Sequence, residues 1–105
     1  MLMEIRHYHL KPGQRDAWVH YMEDVIIPFQ ESKGMVIHGS FIDDEDEDGY
    51  VWLRSFDDEA HREALYDAVY KDEEWTTKIG PPIPTMLDHV GVVNRVYSTP
   101  KSTLK

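Results

Sequence analysis

The sequence contains no cysteine. This absence excludes disulfide bonds, a thiolate nucleophile and a metal site built on cysteine. A serine nucleophile has no support either, because the G-x-S-x-G pattern is missing and Ser32, Ser40 and Ser55 lack an evident histidine and acid partner. The residue types therefore do not favour covalent catalysis by serine or cysteine.

Basic residues are also scarce, with 11 lysines and arginines against 20 aspartates and glutamates and a formal net charge of −9. A surface of this sign repels phosphate backbones and anionic lipids, so we expect neither a nucleic-acid nor a membrane partner. No stretch approaches the roughly 18 apolar residues of a transmembrane helix, and the N-terminus shows no signal-peptide pattern. We therefore expect a soluble, cytoplasmic protein.

The apolar residues that are present suffice for one small core, since 41% of the 105 residues are hydrophobic. We predict a single domain over residues 1–98 and a polar C-terminal tail over residues 99–105. Alternation and helical spacing predict strands at 2–10, 35–42, 50–56 and 90–97, and helices at 14–32 and from about 58 to 70.

Three local features refine these elements. Pro28 is expected to kink the first helix near Ile27, and Gly34 is expected to end it. A short helical turn within residues 71–79 should pack Trp75 against the core. The second helix is expected to turn its apolar residues inward, namely Ala60, Ala64, Leu65, Ala68 and Val69.

The order strand, helix, strand, strand, helix, strand is typical of the ferredoxin-like α+β fold, βαββαβ. Right-handed crossovers place both helices on one face of a four-stranded antiparallel sheet, with the first and third strands in the middle. The other face carries residues too apolar to leave in water, among them Met3, Ile5, Val51, Leu53 and Val93. We therefore predict a homodimer that closes two sheets face to face, although the sequence leaves open which face meets the partner.

Three stretches of the chain resemble the NIPSNAP family. Residues 4–13, EIRHYHLKPG, are similar to that family's E-L-R-x-Y-x-L-K-P-G opening. Residues 51–58, VWLRSFDD, followed by Arg62, are similar to its strand, aromatic, acidic and arginine pattern, and residues 72–75, DEEW, to its D-x-x-W turn. The resemblance covers residues 2–97. The long acidic turn at residues 43–48 departs from it, as does Arg54, where many members carry an aromatic residue.

The resemblance implies a dimeric α+β barrel more than a reaction, because the family has no agreed general activity. Relatives in the wider superfamily include antibiotic-biosynthesis monooxygenases, haem-degrading monooxygenases and small isomerases. These proteins usually work in a pocket between the sheet and its own helices.

Side chains on two strands and one helix predict such a pocket here. Arg6 and Tyr8 share one face of the first strand, and Trp52 and Arg54 share one face of the third. The first helix would roof these faces with Trp18, Tyr21 and Met22. Because a guanidinium fork matches a carboxylate, we predict that the two arginines anchor a small aromatic or anionic molecule.

Other interpretations of the same residues stay open at this point. Arg6 and Arg54 could instead pair with Glu4, Asp88 or helix carboxylates and hold the fold. A cofactor-free monooxygenase or isomerase would use the pocket with Tyr8 or His61 handling protons. A non-catalytic interaction module would have no pocket and would work through an exposed surface.

Two sequence features suggest a metal without specifying one. His7 and His9 point the same way on the first strand, and His89 should approach them because the first and last strands pair. Residues 44–49, DEDEDG, match the first half of an EF-hand loop, but the twelfth position is Ser55 and strands flank the loop. We expect neither a metal ion nor a cofactor, with the acidic turn exposed at a hairpin tip.

Overall fold

A computed structural model describes residues 1–104 and has the predicted α+β, ferredoxin-like architecture. Lys105, the last residue of the predicted tail, lies outside the described residues. The strands are β1 (Leu2–Leu10), β2 (Val36–Ile42), β3 (Gly49–Phe56) and β4 (Leu87–Tyr97), and the α-helices are α1 (Arg15–Tyr21), α2 (Ile27–Ser32) and α3 (Glu59–Tyr70). A π-helical turn, Met22–Ile26, joins α1 to α2, while a second one, Trp75–Ile79, and a 3-10 turn, Ile83–Thr85, precede β4.

The sheet is antiparallel with the order β2-β3-β1-β4, so β1 and β3 lie in its middle as predicted. The register pairs Glu4 with Arg54 and Arg6 with Trp52. Because side chains alternate along a strand, these residues share the face that the helices cover. The opposite face, called the outer face below, carries Ile5 from β1.

The first predicted helix is one rod in which the π-helical turn separates α1 from α2. Trp18, Met22, Ile26 and Gln30, spaced four residues apart, are its buried side chains. Proline has no backbone N–H to donate, and the turn that precedes Pro28 is widened so that the Ile27 N–H donates to the Met22 carbonyl oxygen. The kink predicted near Ile27 is therefore accommodated as a π-helical turn.

Gly34 ends this rod, as predicted. Its φ of 103° lies in the left-handed region that favours glycine. The Gly34 N–H donates to the Glu31 carbonyl at 3.0 Å and the Met35 N–H donates to the Gln30 carbonyl at 3.1 Å, which satisfies two carbonyls of the last turn.

The inward face of α3 differs from the prediction. Leu65 and Val69 are at least partly buried as expected, but Ala60, Ala64 and Ala68 are exposed. The side chains that point toward the sheet are instead Arg62, Tyr66 and Tyr70, spaced four residues apart, and they contact Glu4 and Arg54. The buried ionic residues of the sheet select polar partners on this helix, whereas alanine, an intrinsically good helix former, is tolerated in solvent.

The observed limits and register of strand β4 differ from two further predictions. It begins at Leu87 rather than residue 90, because Leu87 pairs with Leu10 at the end of β1. Val93 pairs with Arg6 and so lies on the helix-covered face, while Val92 lies on the outer face. The cause is a β-bulge opposite His7, which shifts the alternation of β4 and cannot be read from an apolar run.

The outer face of the single chain is apolar and largely uncovered. Phe41, Val92 and Val96 are 53%, 61% and 43% exposed, and Ile5, Val51 and Leu53 are half-buried between them. Met3 is 5% exposed at one end of this face, where it lines a groove with Val96 and with Leu104 of the C-terminal segment.

Within residues 1–104, no helix has both the length and the apolar character that are needed to cross a bilayer.

Candidate functional site

A cavity of about 400 Å³ lies between the helix-covered face of the sheet and the helices. Five of the six predicted binding residues line it, namely Arg6, Tyr8, Trp18, Trp52 and Arg54. Tyr21 does not line it, because its hydroxyl turns away to donate to the Ile79 carbonyl oxygen at 2.6 Å. The other lining residues are Met22, Ile26, Gln30, Arg62, Tyr66, Tyr70, Trp75, Ile83 and Leu87.

Aromatic rings form the rigid part of the wall. Tyr8 on β1 meets Trp18 on α1 with ring centroids 5.9 Å apart, and it meets Trp52 on β3 at 6.1 Å, both edge to face. Such contacts are favourable for aromatic quadrupoles and hold the rings in place. Strand alternation places Tyr8 and Trp52 here, and the buried stripe of the first helix brings Trp18 above them.

Arg54 lies at the closed end of the site and is fully buried. Its Nε donates to Glu4 Oε1 at 2.6 Å, one terminal nitrogen donates to Gln30 Oε1 at 2.9 Å and to the Tyr70 hydroxyl at 2.8 Å, and the other donates to the Tyr66 hydroxyl at 2.6 Å. The Arg54 guanidinium also makes a cation–π contact with Trp52, with its Cζ 4.8 Å from the centroid of the ring. Internal groups therefore occupy most of this guanidinium, as the ion-pair alternative anticipated.

Glu4 is the fully buried carboxylate on which three arginines converge. Arg62 Nε donates to its Oε2 at 2.8 Å, and a terminal nitrogen of Arg6 lies 3.7 Å from its Oε1. Burial alone would raise the pKa of the Glu4 carboxyl, but the charge of Arg54 and hydrogen bonds from Tyr66, Arg62 and Arg54 lower that pKa to about 2. The carboxylate stays ionised under all ordinary conditions.

Arg6 and Arg62 stand at the accessible side of the site, with side chains 17% and 19% exposed. Arg6 donates from Nε to the Tyr8 hydroxyl at 3.0 Å and from one terminal nitrogen to the Tyr66 hydroxyl at 3.5 Å. Arg62 uses Nε for Glu4 and one terminal nitrogen for Glu59 at 3.2 Å. Each therefore keeps one terminal nitrogen without a hydrogen bond to the described residues.

Two tyrosines of α3 complete the network, and neither was predicted from the sequence. The Tyr66 hydroxyl donates to Glu4 Oε2 at 2.7 Å, and burial raises the pKa of this phenol, which keeps its proton in place. The Tyr70 hydroxyl accepts from Arg54 and, at 3.4 Å, from Gln30 Nε2. The spacing of Arg62, Tyr66 and Tyr70 on one helical face is the signal that could have identified them.

The indole N–H groups of Trp18 and Trp52 are buried without a hydrogen-bond acceptor in residues 1–104. Buried hydrogen-bond donors are usually paired, so two unpaired indole N–H groups in the wall of one cavity are unusual. Tryptophan can only donate. The polar character of the wall is therefore that of hydrogen-bond donors and positive charge.

His61 is not at the cavity. Its Nδ1 accepts from the Asp57 N–H at 2.9 Å at the start of α3, so it does not face the space that Tyr8 lines. Ser55 proves to have a histidine partner, since a hydrogen bond of 2.6 Å joins its hydroxyl to His38 Nε2. No acid holds the other nitrogen of His38 among the described residues, which leaves the pair without a triad.

The residues considered for a metal are placed as follows. His9 stacks on His89 with ring centroids 4.5 Å apart, which confirms that the last strand brings His89 to β1. In the acidic turn, the Asp43 carboxylate accepts the Glu45 and Asp46 N–H groups at 2.8 and 3.1 Å and so shapes the hairpin tip. No three histidine or acidic side chains are grouped to hold an ion in the described part of the chain.

Comparison with known proteins places this geometry among relatives. The sequence model of the NIPSNAP family matches residues 3–97. A NIPSNAP family protein with unknown function from Agrobacterium tumefaciens, Atu4242, is 24% identical, with a TM-score of 0.88 over 100% of this chain and 94% of that one. An uncharacterized NIPSNAP domain protein from Burkholderia xenovorans is 20% identical, with a TM-score of 0.86 over 97% of this chain and 98% of the other.

A more distant likeness has the same fold. The crystal structure of an antibiotic biosynthesis monooxygenase is 20% identical, with a TM-score of 0.67 over 95% of this chain and 100% of that chain. At this identity the likeness concerns the fold alone. No curated protein matches the sequence.

Proposed function

This chain belongs to the NIPSNAP family, and we propose that its cavity binds a small organic anion with an aromatic body. The two family relatives compared above are described as uncharacterized or of unknown function, so the proposal rests on the site itself. The observation that carries it is a surplus of positive charge around a cavity whose walls are aromatic.

Positively charged side chains outnumber negatively charged ones around the cavity. Arg6, Arg54 and Arg62 surround a single buried carboxylate, that of Glu4. Glu59, which Arg62 also contacts, forms a second ion pair with Arg95 outside the cavity. The site therefore keeps more positive than negative charge in a chain whose formal net charge is −9. Uncompensated charge in a partly desolvated place is costly, and an anionic ligand would relieve that cost.

The two arginines predicted as anchors have different roles in this proposal. Arg54 has no exposed surface and its hydrogen bonds go to internal groups, so it holds the site together. Arg6 is partly exposed, lines the cavity and keeps a terminal nitrogen for a ligand, as does Arg62. A carboxylate that bridges Arg6 and Arg62 would satisfy both, in the way that Glu4 does from within the protein.

A binding experiment tests the proposal directly. Aromatic carboxylates and their methyl esters would be titrated into the protein by isothermal calorimetry. We expect the acids to bind and the esters to bind at least ten-fold more weakly. Arg6→Gln should weaken the binding of the acids by about ten- to one hundred-fold, because a charge-assisted hydrogen bond contributes about 1.5–3 kcal/mol.

Lys78→Gln is the matched control, because it removes one positive charge from an exposed residue that neither lines the cavity nor forms an ion pair with the described residues. This variant should bind the aromatic acids with an affinity within about two-fold of the wild-type value, as expected for a screened surface charge. Equal binding of acids and esters, or equal effects of the two substitutions, would contradict the proposal.

We also propose that the chain forms a homodimer through its outer face. The support is the uncovered apolar surface of Phe41, Val92 and Val96, which a second sheet would remove from water. The cavity lies on the other side of the sheet, so dimerisation would leave it accessible.

A further inference from the structure

We infer that Tyr70 is a specificity-determining residue that donates a hydrogen bond to a second, uncharged oxygen of the ligand. This inference rests on the proposed function, because it concerns the same cavity. It narrows the ligand class to aromatic carboxylates that also carry a carbonyl-type oxygen away from the carboxylate.

The Tyr70 hydroxyl oxygen accepts two hydrogen bonds from the protein. They come from Arg54 at 2.8 Å and from Gln30 Nε2 at 3.4 Å. The orientation of the Gln30 amide is fixed, because Arg54 can only donate and its bond of 2.9 Å requires the carbonyl oxygen of Gln30 on that side. Both acceptor positions of the Tyr70 hydroxyl are therefore occupied, one of them by a cation.

The Tyr70 hydroxyl donates no hydrogen bond within residues 1–104, because it is the acceptor in both of its bonds. Its proton is therefore available to a group outside the described residues. Tyr66 provides the contrast, since it lines the same cavity one turn earlier on α3 and gives its proton to Glu4 at 2.7 Å. Of these two phenols, only Tyr70 has an O–H group that is not already donated within the described residues. The hydrogen bond that it accepts from the Arg54 cation polarises this O–H group and makes it a stronger donor.

The side chains that line the cavity around Tyr70 offer few hydrogen-bond acceptors. No carboxylate or histidine is among the described residues that line the cavity, and the Gln30 oxygen is occupied by Arg54. The Tyr8 hydroxyl accepts from Arg6 and also has no acceptor for its own proton in the described chain. In the free protein, water that enters the cavity can accept these protons, and a ligand that displaces this water has to supply the acceptor itself. A site that hydrogen-bonds an oxygen rejects an analogue that lacks it, because the donor is then left unpaired.

The test uses a matched pair of probes, 4-acetylbenzoate and 4-isopropenylbenzoate. They have nearly the same shape and differ only in that the ketone C=O is replaced by C=CH₂. A second pair, 3-acetylbenzoate and 3-isopropenylbenzoate, places the ketone or alkene closer to the carboxylate. In calorimetric titrations of the wild-type protein, we expect the ketone of at least one pair to bind roughly ten-fold more tightly than its alkene. Tyr70→Phe should abolish this preference by weakening the ketone, while the alkene stays within about two-fold.

Tyr21→Phe is the matched control. It also removes a phenol hydroxyl, but one outside the cavity lining whose proton already goes to the Ile79 carbonyl oxygen. The preference for the ketone should survive in this variant, even if its stability falls. Equal binding of ketone and alkene to the wild-type protein would overturn the inference, and so would a preference that persists in Tyr70→Phe.

A second measurement keeps the test decisive if Tyr70→Phe fails to fold, because Arg54 would lose one acceptor. A crystal structure of the wild-type protein with the preferred ketone should place the carbonyl oxygen about 2.5–3.0 Å from Tyr70 Oη. A bound ketone that lies beyond 4 Å from that atom would overturn the inference. Failure of all four acids to bind would instead overturn the proposed function, so the two failures can be told apart.

Discussion

At the scale of single residues, Glu4 determines more of the site than any group that could touch a ligand. It has no exposed surface, and its two oxygens organise guanidinium groups from β1, β3 and α3. Removing one partner from a buried ion pair is costly because the other charge is left uncompensated. The positions of Arg6 and Arg62 therefore depend on a residue that does not line the cavity itself.

The depressed pKa of Glu4 predicts how stability depends on pH. The pKa is about 2 in the folded protein, against about 4.3 for an unperturbed glutamate. The stabilising contribution of Glu4 should therefore be complete above about pH 4.3 and be lost as the pH falls toward 2. Glu4→Gln should lower the free energy of unfolding by about 3 kcal/mol at pH 7, and urea titrations should show this difference shrinking between about pH 4.3 and 2.

Glu63→Gln serves as the control for this pH series, because Glu63 is exposed on α3. It should change the free energy of unfolding by less than about 0.5 kcal/mol. If the curves of the wild-type protein and Glu4→Gln ran parallel from pH 7 to pH 2, the low pKa of Glu4 would be wrong.

At the scale of elements, helix α3 positions Arg62, Tyr66 and Tyr70 in the cavity wall. The stability of its first turn therefore affects the geometry of the site. Asp58 has extended dihedral angles, and its carboxylate accepts the His61 N–H at 2.8 Å, which satisfies one free donor of the first turn. A loosened first turn would move Arg62 first.

Removal of this cap should have a defined cost. Asp58→Ala is expected to lower the free energy of unfolding by about 1 kcal/mol, measured by urea denaturation. Asp57→Ala, one residue earlier, removes a carboxylate that is 90% exposed and lies 3.8 Å from His61, and it should cost less than about 0.5 kcal/mol. Similar losses for the two variants would mean that the cap of α3 is not the relevant interaction.

At the scale of the whole molecule, the sheet separates two surfaces of opposite character. The helix-covered face holds the arginine and tyrosine network and the cavity. The outer face is mostly apolar, and among residues 1–104 its polar members, such as His7 and Asn94, are scattered. A homodimer through the outer face would bury the exposed surface of Phe41, Val92 and Val96, and it would leave each cavity within one subunit.

Light scattering coupled to size exclusion tests this assembly. The wild-type chain should have twice its monomer mass of 12.3 kDa, and Val92→Asp should shift it toward the monomer by weakening association at least one hundred-fold. Ile42→Asp is the matched control, because Ile42 is 57% exposed but pairs with Tyr50 and so lies on the helix side of its strand. A wild-type monomer, or equal effects of both substitutions, would contradict the proposed dimer.

Much of the fold follows from local sequence patterns. The alternation in β1 predicted its limits, Leu2–Leu10, and the shared face of Arg6 and Tyr8. Gly34 and Pro28 marked where the first helix ends and where it is widened. These features depend on backbone geometry within a few residues, which the amino-acid types at those positions control directly.

The sequence by itself determined the element order, the family, and five of the six predicted cavity residues. Only the tertiary structure decided that Arg54 is buried among internal partners, that α3 presents tyrosines rather than alanines, and that a bulge turns Val92 outward. The physical reason is that these outcomes depend on contacts between residues far apart in the chain. A buried charge takes whichever partners the packing brings within hydrogen-bond distance, and no local pattern records that choice.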